Sequence, residues 1–148
     1  MTAPFKWNET NCFIKKNVEK HEYMTHKMIY NMKIMNMPRI YHYDKKQKIM
    51  YMQKIGNMCI ADQYGELIDQ VPHDILEKIR HMIEHLYQNN IIYPDITGYN
   101  FIEYKNKIWI IDFQHVQHII RGLNMDDDDV VFVEKFIDGA NEWNSNYI

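Results

Sequence analysis

The sequence predicts an α+β fold in two unequal parts: a small β-rich part over about residues 1–55 and a shortened, mainly helical part over residues 56–148. Before Gly56, short apolar segments flank one helix-forming segment. After it come a strongly amphipathic segment over about residues 74–88 and an apolar hairpin that ends at Asp112. With 148 residues and 46% hydrophobic composition, the chain is long enough for one core, and we predict a single domain over residues 1–148.

In the first part, hydrophobic segments separated by polar turns predict four short strands. They lie at residues 5–7, 12–15, 39–43 and 48–52. Between the second and third of these, residues 18–35 contain neither Pro nor Gly, so we predict a helix that ends before Pro38. The predicted order is therefore strand, strand, helix, strand, strand.

The clearest predicted helix opens the second part and runs from about Asp74 to Gln88. Asp74, with Glu77 three residues on, resembles a capping box that fixes the start of the helix. The apolar residues of the segment recur at helical spacing, which predicts one buried stripe. The stripe consists of Ile75, Ile79, Met82, Ile83 and Leu86.

Two further elements are predicted beyond this helix. A turn at Lys105-Asn106 separates strands at residues 100–103 and 107–112. The acidic run at residues 126–129 precedes several apolar residues, and negative charge is favourable at a helix N-terminus. We therefore predict a last helix that ends near Gly139.

Charge and composition argue against several classes of function. The net charge is −3 and there is no basic stripe, so we do not predict nucleic-acid binding. No stretch approaches the roughly 20 apolar residues of a membrane span, and the N-terminus has no apolar signal core. Cys12 and Cys59 show no metal or redox spacing. These observations predict an intracellular protein with unpaired thiols and no membrane association.

Two histidines one helical turn apart suggest metal chemistry. The segment His81-Met82-Ile83-Glu84-His85 matches the inverted zinc-protease pattern, in which both histidines bind zinc beside a glutamate base. On the predicted helix, however, His81 and His85 fall opposite the apolar stripe, on the polar face. No third ligand stands out downstream, so we do not favour this interpretation.

A second motif follows the same helix. Asp95 and Asn100 are separated by four residues, and an apolar strand then leads into Asp112-Phe113. Phosphoryl transfer needs a carboxylate that accepts or orients a hydroxyl proton, and hard oxygen ligands that hold Mg²⁺. The spacing resembles the catalytic loop and the metal-binding Asp-Phe-Gly motif of the protein-kinase family. The run from Asp95 to Asn100 is more similar to small atypical kinases, such as the one in the tRNA-threonylcarbamoylation complex, than to regulated signalling kinases.

This resemblance implies a two-lobed fold, ATP and Mg²⁺ as cofactors, and particular roles for the motif residues. Asp95 would be the catalytic base, and Asn100 and Asp112 would bind Mg²⁺. Lys15 resembles the strand lysine that binds the α- and β-phosphates. The adjacent Lys16 stays open for that role, because strand alternation points the two lysines to opposite faces.

Two more segments extend the resemblance. Glu22 resembles the helix glutamate that orients the phosphate-binding lysine. Residues 50–56 are similar to the hinge strand of the family, where backbone groups of Gln53 and Ile55 would meet the adenine edge. Met52 would then sit at the back of the nucleotide pocket.

The sequence also departs from the family. The chain is short by roughly 100 residues for an ordinary two-lobed kinase. No glycine precedes Gly56, so the Gly-rich loop that clamps the phosphates is missing. Tyr93-Pro94 replaces the usual His-Arg before the catalytic aspartate, and Gln114 replaces the glycine after Asp-Phe. Only 35 residues follow Phe113, which leaves no room for a full peptide-substrate platform.

Three functions are compatible with these residues. The retained base and metal ligands favour an ATP- and Mg²⁺-dependent phosphotransferase, either a minimal serine/threonine protein kinase or an ATPase. The missing phosphate clamp favours a pseudokinase that regulates a host or viral kinase through its surface. A small-molecule phosphotransferase is the third. We expect a protein substrate or a regulatory protein partner, or a homodimer, and the bias toward Ile, Lys, Asn, Tyr and Met suggests a large DNA virus as source.

Overall fold

The computed structural model describes residues 8, 10–56, 58–118 and 128–147. The predicted strand at residues 5–7 and the acidic residues 126 and 127 lie outside these described residues. In the first part, a three-stranded antiparallel sheet has the order β1-β3-β2, with one helix between its first two strands along the chain. The elements are β1 (Phe13–Lys15), α1 (Lys20–Met32), β2 (Ile40–Asp44) and β3 (Ile49–Met52).

A tight polar turn pairs β2 with β3, as the sequence predicts. The Asp44 carboxylate accepts backbone N–H bonds from Lys46 and Gln47, each at 3.0 Å, and Lys48 takes a left-handed φ of 58°. An aspartate at the first position of a turn commonly bonds to the backbone ahead of it in this way. Asp44 therefore stabilises the turn of this hairpin through local hydrogen bonds.

Helix α1 lies within residues 18–35 and ends before Pro38, as the sequence predicts. The chain leaves the helix at Lys33, which has a φ of 56°, and the Lys33 N–H bonds to the Tyr30 carbonyl. A left-handed residue at this position stops a helix. The buried face of α1 consists of Glu22, Thr25, His26 and Ile29.

The second part contains most of the helical residues and two short antiparallel strand pairs, β5 with β6 and β4 with β7. Its elements are α2 (Ile60–Tyr64), α3 (His73–Gln88), β4 (Ile91–Ile92), β5 (Phe101–Tyr104), β6 (Lys107–Ile110), β7 (Gln117–His118) and α4 (Asp128–Ile137). The prediction of a small β-rich part followed by a mainly helical part is confirmed.

Helix α3 forms the centre of the main core. Four of the five residues in the predicted stripe are buried, and Met82 is half-buried: the buried ones are Ile75, Ile79, Ile83 and Leu86. Full burial of each such side chain contributes roughly 1.5–3 kcal/mol, so this stripe anchors the second part. The predicted capping box was wrong. Pro72 precedes the helix without a side-chain cap, and Glu77 pairs with Arg80 at 2.5 Å instead.

The β5–β6 hairpin places Asn100 and Asp112, which flank it in the sequence, at its open end. Lys105 and Asn106 have φ values of 52° and 64°, and positive φ at both central residues is typical of the tightest hairpin turn. Phe101 then pairs with Ile110. The ladder continues beyond them with the Ile111 N–H bonded to the Asn100 carbonyl at 3.1 Å. Residues just outside the hairpin, including Asn100 and Asp112, therefore meet at its open end.

No helix within the described ranges is long and apolar enough to span a lipid bilayer.

Candidate active site

Lys15 connects the two parts of the chain. Its Nζ lies 2.5 Å from Glu22 Oε2 and 3.2 Å from Asp112 Oδ1. The lysine comes from β1, the glutamate from α1, and the aspartate follows β6. Lys16, the alternative, is exposed. The structure therefore brings Lys15, and not its neighbour, to Glu22 and Asp112.

The neighbouring carboxylates keep Lys15 in its charged form. Burial by itself would lower the pKa of Lys15, but the carboxylates of Asp112 and Glu22 outweigh burial, and the pKa lies above its ordinary value. The glutamate side chain is only 5% exposed, so its charge depends on the lysine beside it. Lys15 is consequently a fixed positive charge where the two parts meet.

Asp95 and Asn100 contact each other inside one buried loop. Asn100 Nδ2 donates to the backbone carbonyl of Asp95 at 2.7 Å, and both residues are buried. Because the amide nitrogen is used in this way, the Asn100 side-chain oxygen is the group that can bind a cation. On its other side, the Asp95 carboxylate Oδ2 lies 3.0 Å from Nδ1 of His115. Burial raises the pKa of Asp95, the His115 hydrogen bond opposes this, and the negative charge of Asp112 adds to it.

Tyr93 joins this loop to Asp112. Its hydroxyl donates to the Asp112 backbone carbonyl, and its fully buried ring packs between Phe101 and Phe113 with centroid distances of 6.1 and 6.0 Å. The Asp112 side chain also accepts the Gln114 N–H at 3.0 Å. The residue that replaces the expected histidine therefore fixes the spacing between the loop and the second aspartate.

Gly98 lets the same loop approach α2 closely. Its carbonyl accepts the Ala61 N–H at 2.9 Å, and a Cβ at position 98 would lie 3.2 Å from both Cβ and N of Ala61. Such a distance is tighter than most real Cβ contacts, so a side chain here would push the loop outward. Helix α2 thus supports the loop from behind.

His26 docks α1 onto Phe113. The two rings meet edge to face at 4.9 Å, and Nε2 of His26 bonds to the Pro38 carbonyl at 2.7 Å. Burial lowers the pKa of this histidine from 6.5 to about 4, so it is neutral in the fold. His26 lies one helical turn after Glu22, which ties the position of Glu22 to that of Phe113.

A cavity of about 340 Å³ is lined in part by Ile111, the residue before Asp112, and its volume is within the size range of small-molecule sites. Gln53 and Ile55, the two residues expected to meet the adenine edge, are among its lining residues. The Gln53 N–H is bonded to the Arg39 carbonyl at 2.8 Å. Met52 packs with Val18 and Met50 in a separate small cluster. The lining residues are Phe13, Pro38, Gln53, Lys54, Ile55, Gly56, Met58, Cys59, Ile102 and Ile111.

Comparison with known proteins decides the family. Residues 5–139 match the sequence profile of the RIO domain. This chain belongs to the RIO-domain family. That family is an atypical protein-kinase family, and it generally uses ATP and Mg²⁺. The match covers the Lys15 cluster, the Asp95 loop and the hairpin between Asn100 and Asp112.

Solved structures support the kinase-like fold of this RIO domain. The granulovirus kinase PK-1 of Cydia pomonella has a TM-score of 0.52 and 15% identity, over 73% of this chain and 43% of its own. Rv3197 of Mycobacterium tuberculosis, solved in complex with erythromycin, has a TM-score of 0.50 and 14% identity, over 67% of this chain and 26% of its own. The chain thus spans under half of either protein. No curated protein matches it in sequence.

The chain contains functional candidates that sequence reasoning missed. His115, His26 and Asn144 contact the predicted site residues or their loop through the fold. Only His26 had a usable signal, since it lies four residues after Glu22 on the same helical face. His115 and Asn144 come from segments without a motif, and tertiary contacts alone identify them.

The two histidines of the zinc-protease-like pattern lie outside this site. His81 and His85 are exposed on α3 and line a separate groove of about 550 Å³ with Lys33, Lys78 and Lys107. Among the residues that the structure describes, no group of three or more His, Cys, Asp and Glu side chains is arranged to hold a metal ion. Mg²⁺ commonly uses one or two carboxylates together with substrate phosphates, so Asn100 and Asp112 fit that ion.

Proposed function

We propose that this RIO domain is an ATP- and Mg²⁺-dependent phosphotransferase that acts on a serine or threonine hydroxyl of a protein. The observation that carries the proposal is the contact of Lys15 with both Glu22 and Asp112, 2.5 and 3.2 Å away. A phosphate-binding cation and a metal-binding carboxylate are needed side by side for phosphoryl transfer. Here Lys15 and Asp112 are in contact although they lie far apart in the sequence.

The residues of the site divide the work. Lys15, oriented by Glu22, binds phosphate oxygens. Asp112 and the side-chain oxygen of Asn100 would hold Mg²⁺, and the chemistry that this ion would supply is neutralisation of negative charge on the phosphates. One or two protein oxygen ligands beside phosphate are typical of Mg²⁺ sites.

Asp95 accepts the proton of the acceptor hydroxyl. Its carboxylate is buried, and burial raises its pKa above the ordinary value, which makes it a better proton acceptor than an exposed aspartate. The contact from Asn100 to the Asp95 carbonyl keeps the base beside the metal-binding side chain. Proton transfer and metal binding are thereby coupled within one loop.

The cavity lined by Gln53 and Ile55 takes the nucleobase. Phe13 and Ile102 offer apolar surface to a flat ring, and Gln53 and Ile55 meet its edge. Because no glycine precedes Gly56 in this sequence, we expect no Gly-rich clamp on the phosphates and weak nucleotide binding. Each missing charge-assisted contact costs on the order of 1.5–3 kcal/mol.

A pseudokinase is the second candidate, and two contacts favour it. Lys15 already neutralises Asp112, and His115 already occupies one carboxylate oxygen of Asp95. A binding module would keep these internal contacts permanently. A phosphotransferase must exchange part of them for ligand contacts.

Transfer of labelled phosphate tests the proposal. Wild-type protein is incubated with γ-labelled ATP, Mg²⁺ and a generic protein acceptor, beside an Asp95→Asn variant. We expect slow transfer by the wild type and a loss of at least about 10²-fold in the variant, typical for removal of a general base. Binding of ATP without any transfer, equal in both proteins, would instead support the pseudokinase. Label found only on a small molecule would instead support a small-molecule phosphotransferase.

A further inference from the structure

Asn144 holds the main chain on both sides of Asp95. Its backbone N–H donates to the Ile96 carbonyl at 2.9 Å, and its side-chain Nδ2 donates to the Pro94 carbonyl at 2.8 Å. Pro94 and Ile96 are the immediate neighbours of Asp95. Asn144 is only 2% exposed, so water does not compete for these bonds.

The segment around Asn144 is itself firmly anchored. The Asn144 side-chain oxygen accepts the Asn146 N–H at 3.1 Å, and its backbone carbonyl accepts the Tyr147 N–H at 3.1 Å. The preceding Trp143 is buried and stacks on Phe136 of α4 with a centroid distance of 6.4 Å. All four polar atoms of Asn144 are therefore bonded, which makes it a fixed support.

His115 contacts the other end of the aspartate. Its Nδ1 lies 3.0 Å from Asp95 Oδ2, and since a carboxylate oxygen can only accept, Nδ1 carries the proton. The His115 ring lies 4.8 Å from the ring of Tyr147, whose hydroxyl is 3.4 Å from Asp129. The turn that carries Asn144 thus also supports His115.

We propose that residues 144–147 and His115 form a positioning clamp for Asp95. Asn144 fixes the backbone of the loop, and His115 fixes the rotation of the carboxylate. The clamp supports the loop at Pro94, where the residues expected from kinases are replaced. Asn144 lies beyond residues 5–139, the part that matches the family profile, whereas His115 lies within it. Its effect on turnover rests on the proposed phosphotransfer.

The clamp acts through geometry. Asn144 is uncharged and does not touch the Lys15 cluster or the nucleobase cavity in the contacts described for it. Misplacement of a reacting group by about 1 Å can cost on the order of 10²-fold in rate. Loss of the clamp should therefore reduce kcat and leave nucleotide affinity nearly unchanged.

The test compares Asn144→Ala with Asn141→Ala. Asn141 is a matched control, because it is in the same segment and its Nδ2 also donates to a backbone carbonyl, that of Phe132 at 3.0 Å, away from the loop. We expect Asn144→Ala to lower kcat by about 10- to 100-fold, with the KM for ATP changed by less than about twofold. Asn141→Ala should keep the wild-type kcat.

His115 variants give a second, independent comparison. His115→Asn retains a donor near the position of Nδ1 and should keep most of the turnover, whereas His115→Ala should lose about tenfold. The His115 side chain is 41% exposed, so neither change threatens folding. Equal rates in these two variants would contradict the role given to His115.

Hydrogen exchange of the peptide spanning residues 93–100 separates the clamp from the proposed function. Exchange should be faster in Asn144→Ala than in Asn141→Ala, because loop amides of Ile96, Thr97 and Asn100 are bonded within the clamped loop. Equal exchange in both variants would overturn the clamp.

If the wild type transfers no phosphate, the proposed function fails, and exchange alone decides the clamp. If Asn144→Ala does not fold, the His115 pair decides it.

Discussion

The half of the site that holds Lys15, Glu22 and Asp112 differs in construction from the half that holds Asp95 and Asn100. In the first, which we call the charge-held half, side chains from separate elements meet through ion pairs of 2.5 and 3.2 Å. In the second, the amide-held half, hydrogen bonds to backbone carbonyls dominate, as from Asn100 to Asp95 at 2.7 Å.

This difference suggests which half of the site changes its geometry when a ligand binds. The ion pair between the partly exposed side chains of Lys15 and Asp112 rearranges when a charged ligand enters, because phosphate or a cation competes for the same groups. Short bonds between buried amides and carbonyls keep one geometry. We infer that the charge-held half adapts to the nucleotide while the amide-held half keeps the base in place.

Removing the central charge should break the charge-held half with the largest effect. Lys15→Met should reduce phosphate transfer by at least about 10²-fold, because it removes stabilisation of charge on the phosphates and leaves Glu22 and Asp112 as unpaired neighbours. The measurement is transfer of labelled phosphate. Lys16→Met is the matched control, since the same change on the exposed neighbouring lysine should leave the rate near that of the wild type. Equal losses in both variants would contradict the assignment of Lys15.

Protonation of His26 should loosen the contact of α1 with Phe113. Its pKa is about 4 in the fold and about 6.5 in an unfolded chain, so the unfolded state takes up the proton first as the pH falls. Its contribution to stability is therefore complete above pH 6.5 and is lost progressively toward pH 4. The loss is on the order of 3 kcal/mol, from 1.36 kcal/mol per pH unit.

His26→Gln checks this pH dependence. The substitution keeps a donor for the Pro38 carbonyl but cannot titrate. Urea unfolding between pH 7 and pH 4.5 should show a smaller loss of unfolding free energy in His26→Gln than in the wild type. Parallel pH profiles in the two proteins would show that His26 does not govern the contact of α1 with Phe113.

A methyl group at Gly98 should strain the amide-held half with the smallest effect. The Cβ of Gly98→Ala would lie 3.2 Å from Ala61, so α2 or the loop must shift by a few tenths of an ångström. We expect a destabilisation of roughly 1 kcal/mol and a modest drop in kcat, with nucleotide affinity retained. Thermal melting and steady-state kinetics measure these two effects. A lower affinity with an unchanged kcat would indicate that the loop does not act through Asp95.

The sequence predicted those parts of the fold that have local causes. The stripe on α3, the Lys105-Asn106 turn and the strands beside Asp44 follow from periodicity and turn chemistry, and the structure contains them. The left-handed residue that ends α1 at Lys33 and the missing side-chain cap of α3 depended on backbone details that composition does not encode.

The same contrast between local and long-range contacts applies to the site residues. The spacing of Asp95, Asn100 and Asp112 and the position of Lys15 in its strand were readable, because a short motif or a strand contains them. The contacts from His115 and Asn144 connect positions 20 and 50 residues apart, and no local pattern records such contacts.

The most direct test of the account is calorimetric titration of ATP with and without Mg²⁺ into the wild type, Asp112→Asn and Asp69→Asn. Asp69 is exposed in a short helical turn, so its variant matches the change in charge away from the site. We predict that Mg²⁺ strengthens ATP binding in the wild type and in Asp69→Asn, and that Asp112→Asn loses this strengthening. ATP binding that is indifferent to Mg²⁺ in the wild type, or equally strengthened in Asp112→Asn, would contradict the site as a phosphotransfer centre.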